Sequence, residues 1–201
     1  IHHSYACRKG RGIHAGSKTT MEYVRKHRYC LKMDISKFYP SVDHDVLHEL
    51  VKRKIKCRDT LWLIKDIIYS FPGGKNVPIG NFTSQWFGNL YMNELDQFLK
   101  HENHVKSYIR YCDDFCLLHD DKHYLGDMAR IIKAFVLTKL KMTLSKCDLF
   151  PVSSGVDFLG YRHFPKYILV RKSTAKRIKK RLKALPWLLA KGRITMDQYR
   201  S

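Results

Sequence analysis

Acidic residues are scarce in this chain. Its 18 Asp and Glu stand against 38 Lys and Arg, which gives a formal net charge of +20 at pH 7. Between residues 166 and 193 there are eleven Lys and Arg and no acid. Acids are usually interspersed among the bases of a solvated helix face, and so strong an imbalance favours a polyanionic partner. The charge therefore predicts binding to a nucleic acid or a similar polyanion.

The sequence also lacks a long apolar run. No stretch approaches the roughly 18 residues that a membrane-spanning helix requires. The first residues, IHHSYACRKGRG, contain no apolar segment like that of a signal peptide. We therefore expect a cytoplasmic protein with no membrane partner.

None of the six cysteines belongs to a C-x-x-C pair. They are Cys7, Cys30, Cys57, Cys112, Cys116 and Cys147. This spacing argues against a zinc knuckle or a dense disulfide framework. Reduced thiols, most of them buried, are expected instead.

Apolar residues make up 44% of the 201, enough for one domain with a core and an appended helical piece. Alternation around Leu31 and Met33 predicts a short strand that ends at Asp34. Asp43 is a plausible N-cap for a helix through residues 46–51. Further amphipathic stretches predict helices over residues 61–68 and 86–98, with a Gly- and Pro-containing loop between them.

The second half of the chain predicts a hairpin, a helix, a strand pair and a last helix. Two apolar runs flank the Asp113-Asp114 pair, which predicts a hairpin with two carboxylates at its tip. A helix follows over residues 128–140, then a strand pair in VDFLGYRHFPKYILVR, and a helix opened by Ser173. Together these elements predict an α+β domain with helices packed on one side of an antiparallel sheet.

Three carboxylates stand among apolar neighbours rather than in a charge run: Asp34, Asp113 and Asp114. Buried acids are costly unless a cation offsets them. Mg²⁺ fits such a site, because it takes one or two carboxylates together with water and phosphate oxygens. The alternative is that each aspartate is a turn or strand-end residue.

The order of the motifs resembles the reverse transcriptase family. CLKMDISKFYPSVD resembles its motif A, VPIGNFTSQWFGNLYMNELD its motif B, and YCDD the Y-x-D-D signature of its motif C. LSKCDLFP and VDFLGYRHF resemble motifs D and E. The similarity covers roughly residues 4 to 170. It implies a right-hand polymerase palm, with a fingers fragment over 1–28, the palm over 29–155, a primer-grip hairpin over 156–172 and the start of a helical thumb over 173–201.

The resemblance also implies roles for single residues. Asp34, Asp113 and Asp114, with the backbone carbonyl of Ile35, would hold two Mg²⁺ ions, for which Mn²⁺ can substitute. The residues implied to contact the incoming nucleotide are Arg8, Lys9, Arg11, Tyr39, Ile79, Gly80 and Lys146. Tyr39 matches the steric gate against a ribose 2′-hydroxyl, and Lys146 matches a lysine that protonates the leaving pyrophosphate. Phe158, Leu159 and Gly160 match the primer grip.

Each of these residues also has a simpler interpretation. Tyr39 is plausible as a core aromatic, ACRKGRG as a solvated basic loop, Lys146 as a surface lysine, and the 158–160 segment as packing of a strand pair. The choice between Arg8 and Arg11 as the main triphosphate contact stays open.

Motif B indicates a subfamily. Many family members carry Pro-Gln-Gly where this chain has Pro78, Ile79 and Gly80, followed by Asn81 and Thr83-Ser84-Gln85. This form resembles diversity-generating retroelement enzymes, which copy a template-repeat RNA into cDNA with errors at adenines. The resemblance implies template RNA, primer, deoxynucleoside triphosphates and a small basic accessory protein as partners. The alternatives are a group II intron or retron-like enzyme and, in another class, a catalytically idle RNA-binding scaffold.

Overall fold

A four-stranded antiparallel sheet lies at the centre of the protein. The computed structural model describes residues 3–78, 80–193 and 195–196. The strands of this sheet are β1 (Tyr29–Ile35), β2 (Tyr108–Tyr111), β3 (Asp114–His119) and β4 (Leu144–Pro151). Their spatial order is β2-β3-β1-β4, so β1 is flanked by strands that follow it much later in the chain.

Alternation along β1 gives the sheet two different faces. Leu31, Met33 and Ile35 are buried on one face, where they join the larger hydrophobic core. Lys32 and Asp34 point to the other face, since successive side chains of a strand alternate. One face of the sheet is thus apolar throughout, while the other becomes polar towards the Asp34 end.

The described residues also form seven α-helices. They are α1 (Ile13–Lys26), α2 (Phe38–Ser41), α3 (His44–Lys54), α4 (Arg58–Tyr69), α5 (Phe82–Gln97), α6 (Lys122–Thr138) and α7 (Lys172–Ala190). A π-helical turn, Phe98–Glu102, extends α5. Buried side chains of α3, α5 and α6 pack on the apolar face of the sheet and form the larger core.

A smaller sheet lies against the other face. It consists of β5 (Val156–Phe158), β6 (Tyr161–His163) and β7 (Ile168–Val170), in that spatial order. Val156 and Phe158 pack with Val24 of α1 and with Cys30 and Ile109 of the large sheet in a second core. This second core covers only one end of the face and leaves the Asp34 end open to a cleft.

Most of the expected elements are present, with shifted bounds. Asp43 caps α3 by accepting a hydrogen bond from the Val46 amide at 3.1 Å. Helix α6 begins six residues before the predicted start, because Asp121 caps it. Helix α7 begins at Lys172, one residue before Ser173. The predicted strand pair is a three-stranded sheet, since β7 adds to β6.

The expectation that most cysteines are buried is wrong. All six are free thiols, but only Cys30 and Cys116 are buried. The exposed ones, Cys7, Cys57 and Cys147, lie in the N-terminal segment, at the N-cap of α4 and on the edge strand β4. Among the described residues, no helix is long and apolar enough to cross a membrane.

Candidate active site

Strand pairing brings two of the three predicted carboxylates face to face. Asp34 and Asp114 are direct register partners in the antiparallel pair of β1 and β3. Side chains opposite each other in such a pair lie on the same face of the sheet. Asp113 lies beside them, in the two-residue turn Cys112-Asp113 that joins β2 to β3. The fold thereby brings Asp34 close to Asp113, which follows it 79 positions later in the chain.

The paired carboxylates open onto a cleft of about 470 Å³. Its walls are the polar ends of β1, β3 and β4 and the start of the small sheet. The lining residues are Lys32, Asp34, Asp114, Lys146, Asp148, Phe150, Gly155, Asp157, Arg162 and Arg171. Acids and bases are thus mixed at the carboxylate end, and the two arginines lie at the other side, on β6 and at the N-cap of α7.

Burial leaves the hairpin carboxylates short of a counter-cation. The pKa of Asp114 is raised to about 6, mainly by burial; Lys32 opposes the rise, while Asp34 and Asp113 contribute to it. The pKa of Asp113 is also raised, first by burial and then by the charge of Asp34. Oδ1 of Asp114 is buried and accepts no hydrogen bond from the described residues. An unpaired buried carboxylate oxygen next to other acids is the condition that a bound cation relieves.

The donor set fits a metal that substrate oxygens help to coordinate. Among the described residues, no three His, Cys, Asp or Glu side chains form a group that could hold a metal ion. One oxygen of Asp114 is 3.1 Å from the Lys32 ammonium, and Oδ2 of Asp34 accepts a hydrogen bond from Ser145 at 2.6 Å. Mg²⁺ commonly takes one or two carboxylates and completes its shell with water and phosphate. Ile35, the next residue on β1, is buried and pairs with Leu144 across a register shift.

Tyr39 lies next to the carboxylate turn. Burial, together with the nearby Cys112, Cys7 and Asp113, raises the pKa of Tyr39 to about 12. Its ring is half-buried and packs on α5, where a Cβ added at Gly88 would lie 3.4 Å from the Tyr39 ring. The ring that a Cβ at Gly88 would crowd is that of the neighbouring Phe38, at 2.9 Å, whereas 3.4 Å from Tyr39 is ordinary van der Waals contact.

The basic N-terminal segment runs past the same turn without entering the cleft. Its residues 4 to 6 follow β2, with a hydrogen bond from the Tyr5 amide to the Arg110 carbonyl at 2.9 Å. The half-buried Arg8 donates from Nη1 to the Ser4 carbonyl at 3.3 Å. The Arg11 guanidinium lies 4.8 Å from the Tyr5 ring centroid, and Lys9 is exposed. None of these three cations lines the cleft.

The remaining predicted residues lie on three different elements. Lys146 of β4 pairs with Asp34 and lines the cleft. Phe158 is fully buried, Leu159 and Gly160 form the turn between β5 and β6 with positive φ, and the Gly160 carbonyl accepts from the Arg171 amide. Gly80 has φ 106, which favours glycine. Ile79 lies outside the described residues.

A family model for reverse transcriptase, described as an RNA-dependent DNA polymerase, matches residues 1–163. The chain belongs to the reverse transcriptase family. Enzymes of this family generally use divalent metal ions, in keeping with the carboxylates at the cleft.

Relatives of this reverse transcriptase chain are considerably longer than the part they share with it. The protein YkfC of Escherichia coli (strain K12) is 25% identical over 207 residues, which cover 79% of this chain and 54% of YkfC. The chain thus spans about half the length of that curated relative.

Telomerase structures share the fold of this reverse transcriptase chain. Apo telomerase from Candida tropicalis, truncated from the C-terminal domain, superposes with a TM-score of 0.64 at 15% identity, over 85% of this chain and 41% of that one. Telomerase from Candida albicans, in complex with a TWJ fragment of telomeric RNA, gives 0.64 at 14% identity, over 85% and 36%. At such identities the likeness concerns the fold.

A buried ion pair that the motifs of this reverse transcriptase chain do not predict lies behind the carboxylate turn. Arg110 of β2 donates from Nε and Nη2 to the two oxygens of Asp96 on α5, at 2.7 and 2.6 Å, and both side chains are 0% exposed. Its Nη1 donates to the Cys112 carbonyl at 2.9 Å. The sequence feature that could have indicated this pair is Arg110 itself, a charged residue inside the apolar strand that leads into YCDD. Lys32, inside β1, carried the same signal and was also missed.

Proposed function

We propose that this chain is the catalytic core of an RNA-directed DNA polymerase from a diversity-generating retroelement, which copies a template-repeat RNA into cDNA with errors. The main support is one observation. Asp34 and Asp114 are in direct register, with Asp113 in the adjoining turn, at the end of a cleft with basic residues on its walls. A protein that only binds RNA gains nothing from acids that face phosphate.

The three aspartates have the chemistry to hold the metals of phosphoryl transfer. We assign Asp34, Asp113 and the Ile35 carbonyl as metal ligands, with Asp114 beside them, for Mg²⁺ or, in its place, Mn²⁺. Metal ions held by these residues would supply activation of the primer 3′-hydroxyl and stabilisation of the leaving pyrophosphate. The raised pKa of Asp113 and Asp114 supports this assignment, because both acids gain from a nearby cation.

Other residues of the chain would select and hold the nucleotide. Arg8, Lys9 and Arg11 would bind the triphosphate, on a segment that passes the Asp113 turn. The Tyr39 ring would exclude a 2′-hydroxyl from the space beside Asp113. Lys146, which lines the cleft next to Asp34, would give the proton on Nζ to the leaving pyrophosphate.

We divide the chain as a right-hand polymerase. Residues 1–28 are then a fingers fragment, 29–155 the palm with the large sheet, 156–172 the primer-grip hairpin with Phe158, Leu159 and Gly160, and 173–201 the start of the thumb. The position of the small sheet supports this division, since Gly155, Asp157 and Arg162 line the cleft that ends at Asp114.

The subfamily proposal depends on motif B. Ile79 and Gly80 would contact the nucleotide, and the branched alkyl side chain of Ile79 cannot form the hydrogen bonds of a glutamine amide. Discrimination against mispairs that relies on such polar contacts is then weaker, because specificity is a difference between binding energies. We infer that the resulting errors concentrate at template adenines.

The partners follow from the same proposal. They are a structured template RNA, the primer or growing cDNA, deoxynucleoside triphosphates and a small basic accessory protein. The formal charge of +20 supports the nucleic-acid partners. Binding of RNA by a relative of the same fold, the Candida albicans telomerase, is compatible with them.

Primer extension on an RNA template with Mg²⁺ and all four deoxynucleotides tests the function. We expect extension by the wild type, loss of extension in Asp113→Asn, and sequenced products with errors opposite template adenine. An even error spectrum that Ile79→Gln leaves unchanged would contradict the diversity-generating subfamily and favour a group II intron or retron-like enzyme. RNA binding without extension, with the accessory protein supplied, would favour the idle scaffold.

A further inference from the structure

Lys32 connects the carboxylate turn to the small sheet. Its Nζ lies 3.1 Å from Oδ2 of Asp114 and donates a hydrogen bond to the Asp157 carbonyl at 2.6 Å. The same nitrogen is 5.8 Å from the ring centroid of Phe158. These contacts join β1, β3 and β5, which come from three distant parts of the chain.

The Lys32 side chain is largely buried, so its ammonium depends on these two polar contacts to replace water. Its side chain is 14% exposed. A buried ammonium is destabilising unless its donors are satisfied. Both partners reach it only when β3 and β5 are in their observed places. Lys32 therefore favours one particular separation between the carboxylate turn and the small sheet.

A second contact holds the small sheet from its other side. The Asp157 carboxylate accepts a hydrogen bond from Nε of Arg171 at 2.7 Å, and the Arg171 amide donates to the Gly160 carbonyl at 3.0 Å. The main chain of Asp157 is thus bound to Lys32 and its side chain to the N-cap of α7. A continuous series of polar contacts runs from Asp114 to the start of α7.

We propose that Lys32 is a positioning residue that couples the carboxylate turn to the β5–β6 hairpin. It holds Asp114 and the hairpin at a fixed distance, so that a primer end seated on the hairpin meets the carboxylates. This rests on the proposed function, in which residues 158–160 form the primer grip. The lysine acts through Asp114 and the Asp157 main chain and does not itself contact the reacting atoms.

Lys32 is also placed to contact nucleic acid, and the two roles are separable. An ammonium has three donors, of which Asp114 and Asp157 engage two. Because Lys32 lines the cleft, its third donor is available to a phosphate bound there. Loss of a phosphate contact weakens binding of the primer-template, whereas loss of positioning lowers the rate at saturating primer-template.

The test compares Lys32→Met and Lys32→Arg with Lys100→Met. Methionine keeps the length of the side chain without its charge, and arginine keeps the charge. Lys100 is a matched control, because its Nζ donates to the carbonyls of Val105 and Lys106 at 2.8 and 3.0 Å, outside the cleft lining. Three quantities are measured: hydrogen exchange of the protein without nucleic acid, the primer-template Kd, and the single-turnover extension rate constant.

We expect Lys32→Met to increase hydrogen exchange both in residues 111–116 and in residues 156–163, with little change in the primer-template Kd. The extension rate constant should fall by about 100-fold, since a displacement of roughly 1 Å from the productive geometry can have that effect. Lys32→Arg should recover part of the rate. Lys100→Met should change exchange only near residues 98–107 and leave the rate as in the wild type.

Two results would overturn the proposal. Unchanged exchange in both segments of Lys32→Met would show that the lysine does not couple them. A weaker Kd with an unchanged rate at saturation would make Lys32 a phosphate contact. If the wild type itself fails to extend primers, the proposed function fails, and the hydrogen-exchange comparison still decides the coupling.

Discussion

At the residue scale, Asp114 differs from an ordinary aspartate in its protonation. Its pKa is raised from 3.8 to about 6, mainly by burial and with Lys32 partly opposing the rise. The folded protein therefore binds more protons than the unfolded chain between these two pH values. By linkage, the contribution of Asp114 to the free energy of unfolding falls as pH rises through this window.

Asp114→Asn should consequently stabilise the protein in the absence of divalent metal. Because one pKa unit corresponds to about 1.4 kcal/mol, and the loss of the contact with Lys32 opposes the gain, we expect ~1–2 kcal/mol at pH 7.5. The gain should shrink towards pH 4. Urea denaturation at both pH values measures it.

Asp127, which forms an exposed ion pair with Arg130, offers a control. Asp127→Asn removes an equal charge outside the cleft. With saturating Mg²⁺ the wild type should have the higher free energy of unfolding and Asp114→Asn the lower, because the metal stabilises the wild type. A stability difference between Asp114→Asn and the wild type that does not change with pH would contradict the prediction.

Tyr39 gives a second prediction at this scale. Tyr39→Ala removes the ring beside Asp113, so the discrimination of deoxynucleotides over ribonucleotides should fall by at least ~10-fold, the range that a lost apolar contact gives. Tyr39→Phe keeps the ring and should discriminate like the wild type. The measurement is kcat/KM for each nucleotide on the same primer-template. Equal discrimination in all three proteins would show that the ring is not a gate.

At the scale of elements, the Asp96–Arg110 pair fixes the β2–β3 hairpin on α5. Cys112, the first residue of the turn, has φ 53, a conformation that non-glycine residues adopt at a cost. Arg110 binds the carbonyl of this residue, and Tyr108 donates to Asp96 at 2.7 Å. Two apolar side chains of similar volume could fill the space of this ion pair but could not donate a hydrogen bond to the Cys112 carbonyl.

We therefore expect Arg110→Met to destabilise the protein by about 3–5 kcal/mol, because it leaves the Asp96 carboxylate buried without the cation that balances its charge. The double variant Arg110→Met with Asp96→Leu should regain most of that free energy of unfolding. It should still extend primers more slowly than the wild type, since the turn has lost its hydrogen bond. Chemical denaturation and primer extension on the same preparations separate the two effects. Full activity in the double variant would show that the pair contributes only stability.

The elements that the sequence predicted are those whose burial follows a local period. Helix α3 shows its cap at Asp43 and its apolar spacing, and β1 shows its alternation. Helix α1 was missed because its buried face includes Gly16, Ser17 and Thr20, small residues that leave no hydrophobic period. Strand β4 was missed because it is an edge strand whose residues are mostly exposed. Both elements are specified by their neighbours rather than by their own pattern.

The candidate site was predictable only in its composition. The YCDD hairpin is local, so the sequence places Asp113 and Asp114 together. The register of Asp34 with Asp114 depends on strand pairing across 79 intervening residues, which no local pattern specifies. Ser145 and Lys32 reach the aspartates through the same pairings, and for that reason sequence reasoning did not find them.

At the scale of the whole molecule, helix α7 leaves the body of the protein with no buried residue. Its Ile178, Leu182 and Trp187 are exposed, and seven Lys and Arg lie between residues 172 and 183. Packing against the core therefore does not explain why α7 carries so many basic residues. The proposed thumb would lay these bases along a nucleic-acid duplex.

This placement predicts a change in the salt dependence of binding. Replacing Lys176, Lys179, Lys180 and Lys183 by Gln should reduce the slope of log Kd against log salt by about 0.7–0.9 for each lysine that contacts a phosphate. A control variant replaces Lys52, Lys54, Lys56 and Lys65 on and near α3 and α4, with the same change in net charge. Fluorescence anisotropy with an RNA-DNA duplex measures both slopes. Equal slopes in the two variants would mean that α7 makes no special contact.

The central position of β1 also determines when this site can come into existence. Both strands that flank β1 follow it late in the chain, since Asp34 is opposite Asp114 on one side and Lys146 on the other. Non-local pairings of this kind form slowly and leave an apolar strand exposed until its partners arrive. On the ribosome, β1 must therefore wait for more than a hundred residues of further synthesis before β4 emerges. We expect a nascent chain released before β3 emerges to have no assembled carboxylate site, and one released before β4 emerges to keep one edge of β1 unpaired and prone to aggregation.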